Sequence, residues 1–311
     1  MMTSTRRLAV VVAALATGCL LGCVSSAHAQ IRGLYTPGMN AVNSGVLPEA
    51  GLSYQVLFQP YSFDEAKGPE GNRLPFSGKV SVTAEQNIFL WVSNMKILGG
   101  SYAAVADLPI ANSSLTTVRF GALAAASGFA DSYYSPLTLG WQKPRADFQA
   151  SYGLFAPTGR FTPGASDNTG GGYWAQFLAT GQTVYVTADK GTALSAYEGY
   201  EFHGTQKDTH VHPGQTFDID YSLTQMLPLT HDKHTLLQVG LVGYGQYQTT
   251  DTTRPIVTVT DTPYRVNALG GTAGIVLPER KVSVNVKYLK EFSNQATVEG
   301  HSLQISAGVT F

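Results

Sequence analysis

Ser302-Leu303-Gln304-Ile305-Ser306-Ala307-Gly308-Val309-Thr310-Phe311 is the stretch that decides how this chain folds. Leu303, Ile305, Ala307, Val309 and Phe311 share one face of an extended strand, and Ser302, Gln304, Ser306, Gly308 and Thr310 share the other. A period of two without a fault is the mark of a strand with one apolar and one wet face. The same pattern recurs upstream. Val282, Val284, Val286 and Tyr288 oppose Ser283, Asn285 and Lys287, and Phe217, Ile219, Tyr221 and Leu223 oppose Asp218, Asp220, Ser222 and Thr224.

Extended outward, this reading predicts twelve strands, at roughly 51–62, 79–93, 97–109, 130–142, 145–157, 172–187, 191–204, 214–229, 234–249, 263–277, 280–292 and 301–311. The connections between them alternate in length. Lys143-Pro144 and Pro278-Glu279 are short, whereas Asp64 to Gly78, Ile110 to Phe129, Thr158 to Gly171 and Thr250 to Thr262 are long. An even strand number, with short turns at one end and long loops at the other, is the rhythm of a bacterial outer-membrane barrel. A soluble sandwich has no reason to sort its loops by parity. The expected fold is therefore all-β, a closed antiparallel transmembrane β-barrel with both termini in the periplasm. Two strands are irregular. Pro136 calls for a bulge, and Glu198 shares a face with Leu194, Tyr200 and Phe202, which calls for a bulge or a place near the rim.

Composition agrees. Charged residues make up 13% of the 311-residue chain, about half the usual share of a soluble domain. No stretch after residue 30 is apolar for long enough to form a spanning helix. Met1 to Ala29 reads as an export signal: Arg6 and Arg7, an apolar run from Leu8 to Leu21, then Ala27-His28-Ala29. Leu20-Leu21-Gly22-Cys23 leaves open a lipidated start at Cys23 instead of cleavage after Ala29. Both cysteines lie in this signal, so the mature chain has neither a disulfide nor a thiolate metal site. Without Arg6 and Arg7, 18 of the 20 basic residues remain against 21 acidic ones, a balance that gives no reason to expect nucleic-acid binding. Residues 30–50, with Pro37-Gly38, Gly45 and Pro48, follow neither period. They are either a loose periplasmic tail or a segment folded into the lumen as a constriction, ahead of a barrel at 51–311.

Several motifs resemble those of the outer-membrane proteins grouped as the meta-pathway of phenol degradation family. They are Tyr152 to Gly164 (YGLFAPTGRFTPG) with Asp167-Asn168-Thr169-Gly170, Pro213-Gly214-Gln215 with Asp218, Gln238 to Gln246 (QVGLVGYGQ), and Tyr288 to Phe292 (YLKEF). Asn40 to Gly51 is similar to that family's N-terminal stretch. The resemblance covers nearly all of the mature chain and implies a transporter-type barrel that takes up small, rather hydrophobic or aromatic compounds.

A channel acts through the groups on its wall. Strand parity nominates Asp218, Asp220, Lys287, Asn285, Gln238, Gln304, Arg265 and Asn267 as lumen residues, either along a solute path or in a structural polar network. Phe155, on the face of Asp147, Gln149 and Ser151, is the best aromatic candidate for that path. Arg160 and Asp167 are expected to pin an external loop by an ion pair. Phe311 resembles the C-terminal signature read by barrel-assembly machinery, so that machinery and outer-membrane lipid are the expected partners, together with the solute. No catalytic residue, metal or cofactor is expected. The alternatives are a surface protein that works through its loops and a lipid-modifying enzyme. For the enzyme, adjacent His301 and Ser302 cannot pair, because neighbouring strand residues point apart. A surface metal site at His210 and His212, with His203 nearby, lacks a carboxylate or thiolate at ligand spacing.

Overall fold

The computed structural model describes residues 32–76, 78–117, 121–165, 167–232, 234–255 and 262–311. The expected export signal, its cleavage point and Cys23 lie outside the described residues. Twelve antiparallel staves form one closed sheet in chain order. They are β1 Gly51–Lys67, β2 Lys79–Ile97, β3 (Gly100–Asp107 continuing as Ile110–Thr117) and β4 (Gly121–Phe129 continuing as Ser132–Gln142). Then follow β5 Ala146–Ala156, β6 Ala175–Tyr185, β7 Thr192–His203, β8 Thr216–Pro228, β9 Leu236–Gln248, β10 Arg265–Leu277, β11 Val282–Glu291 and β12 Val298–Thr310. A two-residue strand, Arg73–Leu74, folds back on the end of β1. The barrel closes where β12 meets β1, with Thr310 opposite Ser53 and Ile305 opposite Phe58. There the Phe311 N–H donates to the Leu52 carbonyl at 2.8 Å.

The staves run between two unlike rims. One carries the short turns 98–99, 143–145 and 278–281, with Gly51 and Phe311 beside them; the other carries the longer connections that leave β5 and β7 and the described residues 249–255 and 262–264 between β9 and β10. Between the rims the polarity is inverted relative to a soluble protein. Leu194, Leu223, Leu241, Leu269, Val284 and Ile305 are exposed on the outer face. Thr183, Glu201, Asp218, Asp220, Gln246, Lys287 and Gln304 are buried on the inner one. Every lipid-facing backbone group must find its partner within the sheet, and a closed barrel is the strand architecture that allows this.

Two expectations from the sequence are corrected. Ile110–Thr117 and Gly121–Phe129, in a stretch read as a long loop, pair as two antiparallel strands that extend β3 and β4, with Ile110 opposite Phe129 and opposite Glu85 of β2. Their Ala- and Ser-rich sequence, entered through Pro109, carries little apolar contrast between faces, so the period-two signal fades there. Glu198 lies at neither a bulge nor a rim. The register of β7 is unbroken on both sides, and Glu198 sits in mid-strand opposite Thr180 and Ile219. Its Oε2 accepts hydrogen bonds from Gln182 Nε2 at 2.9 Å and Thr180 Oγ1 at 3.0 Å on the outer wall. Pro136 does occupy a register shift, between Tyr134 and Leu137 against β5.

The outer face yields a test. Leu241 is among the most exposed side chains of the apolar belt, at 59%, and lies mid-way along β9. Leu241→Arg should cost about 2–4 kcal/mol in urea unfolding from lipid vesicles. Full retention of stability would contradict a lipid-facing position.

Candidate functional site

The inner wall is organised around residues Arg32–Ala50, an irregular strap that runs against inward-facing side chains of most staves. Its first anchor is an ion pair, Arg32 Nη1 to Glu291 Oε1 at 3.0 Å. Glu291 is otherwise saturated: Tyr244 OH donates to Oε1, and Tyr61 OH, Asn294 Nδ2 and the Gly300 N–H donate to Oε2. The second anchor is Glu201, which accepts the N–H groups of Leu34 and Tyr35 at 2.7 and 3.1 Å and also contacts His203 Nε2 at 3.0 Å. The third is the turn at Pro37–Asn40. Asp220 accepts from Tyr35 OH and from the N–H groups of Gly38 and Asn40. Lys287 Nζ donates to the Gly38 and Met39 carbonyls at 2.6 and 2.9 Å. Further on, Ser222 Oγ, Gln149 Nε2 and Gln142 Nε2 donate to the carbonyls of Ala41, Ser44 and Leu47.

An irregular segment cannot pair its own peptide groups, so the wall supplies partners for them. Opposite charges on the wall take opposite ends of the peptide dipoles: carboxylates hold N–H groups and Lys287 holds carbonyls. Gly38 is required at the turn. Its φ is +82°, and a Cβ there would lie 2.8 Å from Leu289 Cδ1.

The strap leaves open space beside it in the lumen. A chamber of about 640 Å³ lies toward the short-turn rim, lined by Pro278, Lys281, Asn285 and Gln238 among others. A second, of about 360 Å³, lies toward the long-loop rim beside Asp131, Asn168 and Gly170. Met39, Asn40, Asp107, Tyr133 and Tyr197 line both chambers and so form the neck between them. One side of the neck is aromatic. Tyr133 lies tilted against Phe155 at 4.8 Å between ring centroids, Phe155 meets Phe177 edge-on at 5.6 Å, and Tyr35 lies between Phe177 and Tyr197 at 5.5 and 5.7 Å. Both volumes fall in the range of small-molecule sites.

The structure sorts the residues nominated from sequence. Asp220 and Lys287 hold the strap turn. Asp218 accepts from Gln246 Nε2 at 2.8 Å and touches neither chamber. Asn285 lines the larger chamber while bonded to Thr272, and Gln238 donates to Asn43 Oδ1 at 3.1 Å. Gln304 Nε2 donates to the Pro37 carbonyl, and Phe155 belongs to the aromatic wall of the smaller chamber. Arg160 and Asp167 pair at 3.1 Å within the loop after β5. Arg265 and Asn267 are a correction: they point away from the lumen. In β10 it is Val266 and Ala268 that are fully buried, packed with Ala41 of the strap. Arg265 is exposed, and Asn267 Oδ1 accepts from Tyr247 OH on the outer face. Both lie at the long-loop rim, where outward polar groups still reach water.

Glu201, Glu291, Gln86 and Asp107 were not singled out from sequence. Glu291 could have been, because it shares the parity of Lys287 and Leu289; Glu201 opposes Tyr200 and Phe202 in the same way. Of the histidines, His203 is buried against Glu201 and the Gly214 carbonyl. His301 pairs across strands with Ser62, Nε2 to Oγ at 3.2 Å, but among the described residues no carboxylate orients it. Among the described residues no cluster of three or more His, Cys, Asp or Glu side chains could hold a metal ion.

Comparison with known proteins gives a consistent result. The family model described as "Putative MetA-pathway of phenol degradation" matches residues 63–307. The crystal structure of the COG4313 outer membrane channel from Pseudomonas putida F1 superposes with a TM-score of 0.72 at 14% identity, covering 89% of this chain and all of that one. The β domain of the Bordetella autotransporter BrkA gives a TM-score of 0.49 at 8% identity, covering 85% of this chain and 100% of that one. At 14% identity the first match establishes a shared fold, and the second falls too low to add to it. No curated protein matches the sequence.

The strap anchors predict a loss. Asp220→Ala removes the acceptor of three strap donors and leaves Lys287 without its nearest countercharge. It should cost about 3 kcal/mol in urea unfolding and open residues 32–50 to protease in the otherwise folded barrel. A protected strap at parental stability would refute this anchoring.

Proposed function

The chain belongs to the phenol-degradation MetA-pathway family, and on that premise we propose that it is a bacterial outer-membrane channel for passive uptake of small hydrophobic or aromatic compounds. The observation that carries the proposal is the lumen: two chambers that meet at one aromatic-walled neck and together run from near one rim to the other. The description of the P. putida barrel as an outer membrane channel supports the same reading.

In this reading the long-loop rim faces the outside and both termini face the periplasm, in keeping with the two loop classes. Solute enters the smaller chamber past the loop that Arg160 and Asp167 brace, crosses the neck, and leaves through the larger chamber. The strap from Arg32 to Ala50 is the constriction that narrows an otherwise wide barrel. It is held by buried hydrogen bonds on many staves, so it sets the neck as a fixed part of the wall. Asn285 and Gln238 line the periplasmic chamber as polar wall groups, whereas Asp218, Asp220 and Lys287 act by holding the interior together. The function needs no cofactor and no catalytic group. Phe311 ends the closing strand, where assembly machinery would engage the chain before β12 pairs with β1. Outer-membrane lipid covers the apolar belt.

Reconstitution in liposomes tests the channel. The full mature chain should carry phenol inward faster than empty liposomes do, and deletion of residues 32–50 should raise single-channel conductance several-fold. A sealed barrel without solute flux would sink the proposal. A deletion that leaves conductance unchanged would remove the strap from the constriction.

A further inference from the structure

The neck between the two chambers joins Met39 and Asn40 of the strap to Asp107, Tyr133 and Tyr197 of the wall. The three wall residues stand on paired strands and are held there. Asp107 and Tyr197 are buried. Tyr133 lies over Gly153, where a Cβ would overlap its ring, and its centroid is 4.8 Å from that of Phe155 and 6.0 Å from that of Phe177. In a close-packed interior such rings have little room to move.

The strap backbone at the neck is held as well. Asp220 accepts the N–H groups on both sides of Met39, from Gly38 at 2.7 Å and from Asn40 at 3.0 Å. Met39 donates its own N–H to the Thr36 carbonyl at 3.3 Å, and its carbonyl accepts from Lys287 Nζ at 2.9 Å. The turn therefore cannot shift without giving up buried hydrogen bonds. The Met39 side chain is held differently. It is half-buried and packs against the cluster that contains Tyr35, Phe155, Phe177 and Tyr197. It is unbranched, has three rotatable bonds and ends in a thioether that sits well against rings. It is the longest aliphatic side chain at the neck and the one whose size can change without touching a hydrogen bond.

We infer that Met39 is the specificity-determining residue of this channel, because its side chain, carried on a pinned backbone, sets the width of the neck that every solute must pass. The inference rests on the channel reading above and adds the element that fixes its size limit. It assigns that limit to one side chain and not to the strap as a whole. A small residue at position 39 would let the two chambers merge over an unchanged backbone. A large ring there would close the neck against Tyr133 and Tyr197 with every strap anchor still in place.

Single-channel conductance of the full mature chain in potassium chloride, with swelling of liposomes in arabinose, glucose and sucrose, reads the width of the neck. Met39→Ala should raise conductance about twofold and admit a larger sugar than the parent does. Met39→Trp should lower conductance by at least about twofold. Leu34→Ala is the comparison, since Leu34 is a strap side chain packed against the same cluster but away from the neck. It loosens the strap to a similar degree and should not reproduce the rise. Heat-modifiable migration on gels shows that each variant is a formed barrel. Should Met39→Trp fail to form one, Met39→Ala and Leu34→Ala carry the decision. Parental conductance and sugar limit in Met39→Ala, or an equal rise in Leu34→Ala, overturn the assignment while leaving a channel. Absence of conductance in the parent overturns the channel reading itself.

Discussion

The pairing of β12 with β1 is the constraint on which the rest of this structure depends. Eleven antiparallel contacts between sequence neighbours would leave two open edges, and neither edge survives in hydrocarbon. Closing the sheet removes both and fixes which face of every stave looks inward. After that most positions follow from parity: leucine and valine outward, carboxylates, amides and hydroxyls inward, with aromatic rings on both faces. The alternation ending at Phe311 therefore does more than mark a strand, because that strand is the one that completes the ring.

Closure creates a second problem, a wide interior crowded with polar groups that must be satisfied. The strap answers it with peptide groups. Irregular backbone is costly where it cannot pair, and buried charged side chains are costly where they are alone. Here each supplies what the other lacks. Glu201 and Asp220 take N–H groups of the strap and Lys287 takes its carbonyls, so a segment without secondary structure is held as firmly as a stave. The strap also packs on the other side of the barrel, where Leu47 meets Val92 and Ala103, and the chambers occupy the space it leaves between staves of both sides.

Much of this was legible in the sequence, for reasons that also explain the failures. Alternation is read well where both faces contrast, as in β8, β11 and β12, and there Asp220, Lys287 and Gln304 were placed inward correctly. It fails where contrast is low. The strands Ile110–Thr117 and Gly121–Phe129 are rich in Ala, Ser, Gly and Thr, and a small residue says little about which side it faces. It also misleads near the rims. Arg265 and Asn267 are polar, but the outer face at the long-loop end is wet, so polarity alone does not assign a side there. The neck was hardest to see, because Asp107, Tyr133, Tyr197 and Met39 come from four separate stretches and only the closed barrel with its strap brings them together.

Charge by itself does not identify a working residue in such a wall, and the partner count does more. Glu198 is the most unexpected acid by position, in mid-wall on the lipid face, yet Thr180 and Gln182 hold one of its oxygens within its own neighbourhood. Glu291 is among the most deeply buried, and donors reach both of its oxygens. Both are explained by the structure that surrounds them. Asp107 and Asp218 each keep one buried oxygen without a hydrogen-bond partner among the described residues, and that count, not their charge, separates them from the other acids of the wall.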